Sequence, residues 1–185
     1  AYLPWDIPVF RYDVNRPLKA PADLRNLSLD NGAWLRSLEE GQTYEIGFKR
    51  GEIDIALRFD ANSPAKVENA DQMTEFFSGH IDQSGRYTGA MKLKGADYAI
   101  DCFGIRDRSW GPRVITDDIR LNYCHGQSEE RAFVSYSKPE GAIERVFRGH
   151  LVLNGKRIDI ASGQRVPHFK NGILQSIDIE LTGVD

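Results

Sequence analysis

YEIGFKRGEIDIALRFD, Tyr44 to Asp60, is the stretch whose reading decides the fold. In its first part Tyr44, Ile46 and Phe48 alternate with polar or small neighbours; in its second, Ile53, Ile55, Leu57 and Phe59 alternate with Asp54, Ala56 and Arg58. A period of two sends successive side chains to opposite faces of a strand, so each part reads as a strand with one dry and one wetter face. The same period returns in DIRLNYC, through Ile119, Leu121 and Tyr123, and in SIDIELT, through Ile177, Ile179 and Leu181. Turn signals separate these runs. LSLDNGAWLRSL, HLVLNGKRIDI and HFKNGILQSI each hold Asn-Gly between strand-like flanks, and that pair tolerates the positive φ of a two-residue hairpin turn.

Other segments punctuate the chain differently. Pro139 and Gly141 in SKPEGAIE mark a hairpin end, and Gly126 to Arg131 in CHGQSEERAF is polar and turn-like. Pro4, Pro8, Pro17 and Pro21 interrupt any regular element near the start, which reads as an extended arm packed through Trp5, Ile7, Val9 and Phe10. NADQMTEFF, Asn69 to Phe77, reads equally as a short helical turn or an irregular lid loop. MKLKGADYAID and LVLNGKRIDIA echo one another as strand, x-Gly turn and return strand, a hint of two related β-units. Short strands at intervals of roughly ten residues, with little helix, predict an all-β antiparallel meander that closes or nearly closes into a barrel.

The bulk composition narrows the classes of function. The chain has 185 residues, net charge −3 and 41% hydrophobic residues, enough to bury one sizeable core or two small ones. A slightly acidic balance with scattered cations lacks the basic excess that phosphate-backbone binding requires, so no nucleic-acid partner is expected. No apolar run is long enough for a membrane span. Cys102 and Cys124 lie in strand-like surroundings and are expected as reduced, buried thiols, which favours the cytoplasm. His80, His125, His150 and His168 sit far apart without His-x-His, HExxH or Cys-x-x-Cys spacing, so neither a metal nor another cofactor is expected. Neither a G-x-S-x-G elbow nor a phosphate-cradling glycine loop is present.

HIDQSGRYTGAMKLKGADYAIDCFGIRDRSWGPR, His80 to Arg113, resembles the bacterial proteins related to hydroxyneurosporene synthase, a carotenoid hydratase, and the broader AttH-like group. The similarity extends over roughly residues 23 to 185, and its specific part is Arg-Asp-x-Ser-Trp-Gly-x-Arg, Arg106 to Arg113. It implies two consecutive lipocalin-like barrels, a first unit over 1–113 and a second over 114–185. Members of that group are longer, so the chain is expected to cover parts of two barrels, either as a segment of a larger protein or with its barrels completed by a second chain or another copy. The resemblance also implies chemistry on a hydrophobic, isoprenoid- or terpenoid-like small molecule: hydration, cyclisation or isomerisation of an alkene.

Such chemistry needs a proton donor in a dry cavity and aromatic faces that tolerate a carbocation. Asp101 in YAIDCFGI, between apolar neighbours, is the first candidate acid, and His80 with Asp82, two apart on one strand face, forms a second acid/base pair. Tyr87, Tyr98 and Trp110 are candidate pocket aromatics. Arg106 and Arg108 point to one side of their strand and Asp107 to the other; they read as a buried Arg–Asp brace between β-units that also shapes the pocket. The function expected is a cofactor-independent acid/base enzyme. The alternative is a lipocalin-like carrier that binds the same class of ligand without transforming it, and barrel folds serve both.

Overall fold

The computed structural model describes residues 23–69, 79–111 and 120–184 of the chain. Among the described residues twelve strands form two antiparallel sheets. The first holds β1 (Asn26–Ser28), β2 (Ala33–Glu39), β3 (Thr43–Arg50), β4 (Ile53–Ala61), β5 (Glu68–Asn69), β6 (Gly79–Leu93) and β7 (Ala96–Trp110). Its order is β1-β2-β3-β4-β6-β5, with β7 on the other edge of β6. The second holds β8 (Asn122–Gln127), β9 (Arg131–Glu140), β10 (Ile143–Leu153), β11 (Lys156–Lys170) and β12 (Ile173–Gly183), ordered β12-β11-β10-β9-β8 and curled into a half-barrel.

The alternation between Tyr44 and Asp60 becomes β3 and β4, with Tyr44 opposite Phe59 and Ile46 opposite Leu57. Each Asn-Gly pair joins two paired strands, and two of the three take positive φ at both residues. Asn154 and Gly155 take φ of 50° and 76°, and Asn171 and Gly172 take 53° and 75°, the doubly left-handed turn that suits twisted strands. The two echoing segments make the same turn, since Lys94 and Gly95 take 50° and 82°. Register shifts at Val146/Arg148, Ile160/Ser162 and His168/Phe169 bend β10, β11 and β12, the local device that curls a sheet.

The all-β antiparallel fold is the one expected, and neither sheet closes on itself among the described residues: the first is open and the second is a half-barrel. The expected boundary at Arg113 falls in 112–119, between the last strand of one sheet and the first of the other; those residues, the N-terminal arm through residue 22 and most of NADQMTEFF lie outside the described residues. Cys102 and Cys124 are free as expected, but Cys102 is exposed and Cys124 half-buried. Cys102 lies on the edge strand β7, whereas Cys124 shares its strand face with the fully buried Ser135.

Two glycine–aromatic pairs fix the first sheet closely. Trp34 lies across Gly47 and Trp110 across Gly79, each opposite in register; a Cβ on Gly47 would stand 2.4 Å from the Trp34 ring, and one on Gly79 2.3 Å from the Trp110 ring. Only glycine leaves the ring room to cover the neighbouring backbone.

The sheets meet along the N-terminal half of β6 and the face of the second sheet that carries Tyr123, Val134, Tyr136, Arg148 and His150. Apolar packing there is modest: Val134 and Tyr136 are buried, with Ile105 and Leu121 packed against them. The remainder of the junction is polar. Burying polar groups costs free energy unless each finds a partner, so their pairing determines how the sheets fit.

Candidate functional site: a buried His–Asp–Tyr cluster beside an aromatic groove

His80 and Asp82 occupy alternate positions of β6 and so share its face towards the second sheet. His80 Nε2 lies 2.8 Å from Asp82 Oδ2. Tyr136 of β9 brings its hydroxyl 2.9 Å from the same imidazole nitrogen and donates a very short hydrogen bond to Asp82 Oδ2. Tyr123 of β8 donates to Asp82 Oδ1 at 3.1 Å. The side chains of His80 and Asp82 are 4% and 3% exposed, so this chemistry is sealed between the sheets. Asp107, opposite Asp82 on β7, gives the cluster an outlet: it places Oδ1 3.7 Å from His80 Nδ1 and is itself 54% exposed.

Burial works against charge on both members of the pair, but their contacts win. His80 is raised above the ordinary imidazole range because the hydrogen bond and charge of Asp82, helped by the charges of Asp107 and Glu68, outweigh desolvation. Asp82 is held below the ordinary carboxylate range by the hydrogen bonds of His80, Tyr136 and Tyr123. Desolvation and the neighbouring Asp82 charge push both tyrosines upwards, so they remain neutral donors. The cluster therefore favours an imidazolium between two carboxylates, Asp82 buried and Asp107 open to solvent.

A second polar group locks the same junction. Glu68 of β5 accepts from Arg157 Nη2 at 2.8 Å and from Arg148 Nε at 2.6 Å, reaching both β10 and β11. Lys66 pairs with Asp159 at 2.5 Å, and Arg157 Nη1 donates to the backbone carbonyl of Asp82 at 3.4 Å. His150, 1% exposed on β10, lies within the influence of these charges.

On the opposite face of the first sheet runs a groove of about 680 Å³, lined by Leu27, Leu35, Tyr44, Ile46, Phe59 and Tyr87, with Arg106, Asp107 and Arg108 along one side. Phe59 and Tyr87 pack with ring centroids 4.8 Å apart. The Arg106 guanidinium lies over the Tyr44 ring at 4.4 Å, and that of Arg108 lies 5.5 Å from the Trp110 ring. Aromatic faces beside an aliphatic floor suit a flat or unsaturated hydrophobic molecule.

The structure unites some of the sequence candidates and separates others. His80 and Asp82 meet as expected of a shared strand face, and Tyr87, Arg106, Asp107 and Arg108 gather at the groove. Asp101 lacks the environment expected of a desolvated acid. Its side chain is 58% exposed, Arg86 grips it at 2.6 and 3.0 Å, and that hydrogen-bonded pair holds the carboxyl low. Its apolar neighbours fail to bury it because β7 is an edge strand whose Ala99 and Phe103 are themselves exposed. Six residues along the strand also place it roughly 20 Å from Asp107. Tyr98, opposite Met91 towards the hairpin tip, lies roughly 30 Å along the strand from Asp107 and outside the groove lining. The buried Arg–Asp brace is likewise corrected: Asp107 and Arg108 are exposed, and Arg106 and Arg108 rest on aromatic rings. Trp110 covers Gly79 rather than lining the groove.

Tyr123, Tyr136, Glu68, Arg148 and Arg157 were not singled out by sequence reasoning. Tyr123 and Tyr136 are strand residues of the kind that usually fill cores, and their hydroxyl partner lies 41 and 54 residues away in the chain. No metal spacing is visible in the sequence, yet His80, Asp82 and Asp107 each bring one possible ligand atom within 4.8 Å of the others. His80 Nε2 and Asp82 Oδ2 hydrogen-bond directly to each other, so an ion there would have to displace that bond. The arrangement fits proton exchange better than metal ligation.

These features define an all-β protein of two antiparallel sheets, joined through a buried histidine–carboxylate–tyrosine cluster and carrying an aromatic groove. The chain belongs to the DUF7064 family, a domain of unknown function whose model matches residues 2–182. No curated protein and no solved structure matches it.

Proposed function

We propose that the protein takes a hydrophobic, isoprenoid- or terpenoid-like small molecule into the groove and acts on it as a cofactor-independent acid/base enzyme. The observation that carries this reading is Asp107, a residue at the rim of the groove whose half-exposed carboxylate lies on the other face of β7 and approaches the imidazole of His80. In an alkene isomerisation the end of the substrate that passes the rim of β7 takes a proton from Asp107, which the His80 imidazolium, held by Asp82, has protonated; the Asp107 carboxylate then takes the proton lost from the neighbouring carbon and returns it to His80. The faces of Tyr44, Phe59 and Tyr87 stabilise the cationic intermediate until a neighbouring proton is lost. Support for the substrate class comes from the resemblance of His80 to Arg113 to the carotenoid hydratase group. Two free thiols fit a reducing compartment, the cytoplasm.

A second reading, a carrier that binds the same molecule unchanged, is favoured by the depth at which Tyr123 and Tyr136 enclose His80 and Asp82. One experiment separates the two. Native mass spectrometry identifies the ligand that co-purifies; conversion and binding of that ligand are then measured for the wild type, Asp107→Asn, His80→Gln and Asp101→Asn. The enzyme reading expects Asp107→Asn to abolish conversion while binding stays within a few-fold, and Asp101→Asn to behave as wild type. Unchanged conversion in Asp107→Asn overturns the proton assignment, and binding without conversion in the wild type establishes the carrier.

A further inference from the structure

Arg106 is placed in the groove by a support that leaves most of its guanidinium unused. Gln83 is 1% exposed and donates its amide hydrogens to the Gly41 carbonyl at 2.6 Å and the Ser63 carbonyl at 2.9 Å. Those two bonds determine which way the amide faces, so its oxygen turns to Arg106 and accepts from Nη1 at 3.3 Å. The Tyr44 ring holds the guanidinium plane from one side. Among the described residues this is the only hydrogen bond of the Arg106 side chain, and no carboxylate pairs with it. Glu40 borders the groove without an ion pair to Arg106, and Asp107 turns its carboxylate to the other face of β7, towards His80.

A guanidinium has five N–H donors in a fixed fork, and one of them is occupied here. Keeping an unpaired cation beside an apolar floor is costly unless an anion joins it. A buried glutamine and an aromatic ring that hold the fork in one orientation preorganise it for a planar or tetrahedral oxyanion. Arg108, also in the groove lining and resting on Trp110, adds positive potential on the same side.

We infer that the ligand of this groove is an amphiphile, a hydrophobic body with an anionic carboxylate or phosphate end, and that Arg106 takes the anionic end while Leu35, Ile46, Phe59 and Tyr87 take the body. This rests on the groove being the ligand site, and not on any chemistry performed there. Arg106 is thus a specificity-determining residue that selects an acid over the corresponding alcohol.

The test uses three probes with one isoprenoid body and different ends: farnesol, farnesoic acid and farnesyl monophosphate. Calorimetric titration of the whole chain is expected to show one or both anions binding at least tenfold more tightly than farnesol, with the preference shrinking as salt is raised. Arg106→Gln is expected to remove most of the anions' advantage over farnesol, weakening the anions several-fold more than it weakens farnesol. Arg106→Lys, which keeps the charge on a flexible stem, is expected to retain part of the preference, so the conclusion does not depend on one variant folding. The better of the two anions identifies the head group as carboxylate or phosphate. Equal binding of all three probes to the wild type overturns the head-group inference and leaves the groove as ligand site standing. An equal loss for all three probes in a folded Arg106→Gln also overturns it. Failure of every probe to bind the wild type overturns both readings together.

Discussion

His150 should make the protein lose stability on mild acidification, and one substitution should remove the effect. Burial pushes its imidazole down to about 4, with the Arg157 and Lys66 cations adding to the shift and the Asp82 and Asp159 carboxylates opposing it. In the unfolded chain the ring titrates near 6.5. Because the folded pKa is lowered, the unfolded chain binds the proton more readily between those values, so stability is complete above about pH 6.5 and falls as the pH drops towards 4. The difference is about 3.4 kcal/mol in total, from about 1.36 kcal/mol for each unit, and about 2.5 kcal/mol of it is lost by pH 4.5. His80 leaves this window undisturbed: its pKa is raised, so its contribution is complete below 6.5 and is lost as the pH rises through the folded value. Asp82 is lowered, and its contribution is lost only as the pH falls below the ordinary carboxylate range. Urea unfolding at pH 7.5, 5.5 and 4.5 for the wild type and His150→Gln measures the effect. The wild type should lose about 2.5 kcal/mol more than the variant over that range. Parallel pH profiles for the two proteins would refute the assignment of a neutral, buried ring at His150.

Glu68→Gln leaves Arg148 and Arg157 without the carboxylate they share, and should cost about 3 kcal/mol, read as a shift in the urea midpoint; a loss below 1 kcal/mol would mean that water or Asp159 already serves both guanidiniums. Tyr136→Phe removes a donor to a buried carboxylate and should cost about 2 kcal/mol, more than Tyr123→Phe, whose bond to Asp82 is longer and whose ring is more exposed. In a double-mutant cycle the two tyrosines should couple, because both donate to Asp82; strict additivity would show that the carboxylate does not depend on them jointly.

The strands, their dry faces and the Asn-Gly hairpins were legible because each depends on a few adjacent residues. The two-residue spacing of His80 and Asp82 was legible for the same reason: in an extended strand it guarantees a shared face. Asp101 shows the limit of such local reading. Its apolar neighbours suggested burial, but burial depends on whether another sheet covers the strand, and β7 is an edge. Arg106 points the same way. Its orientation is decided by Gln83, Gly41 and Ser63, whose meeting depends on the register of β6 with β7 and the path of two loops. Tyr136 and Glu68 owe their roles to contacts between sheets, and nothing in the spacing of the chain announces those.

Trp110, laid over Gly79, makes the molecule carry its own optical probe. The indole is 40% exposed, on the residue next to His80 along β6, and at the end of the strand that bears Arg106 and Asp107. Its emission will respond to the wetting of that corner of the sheet, whereas Trp34, over Gly47, responds to the far side of the same sheet. Ligand entry and separation of the two sheets should therefore give different spectral changes without any added label.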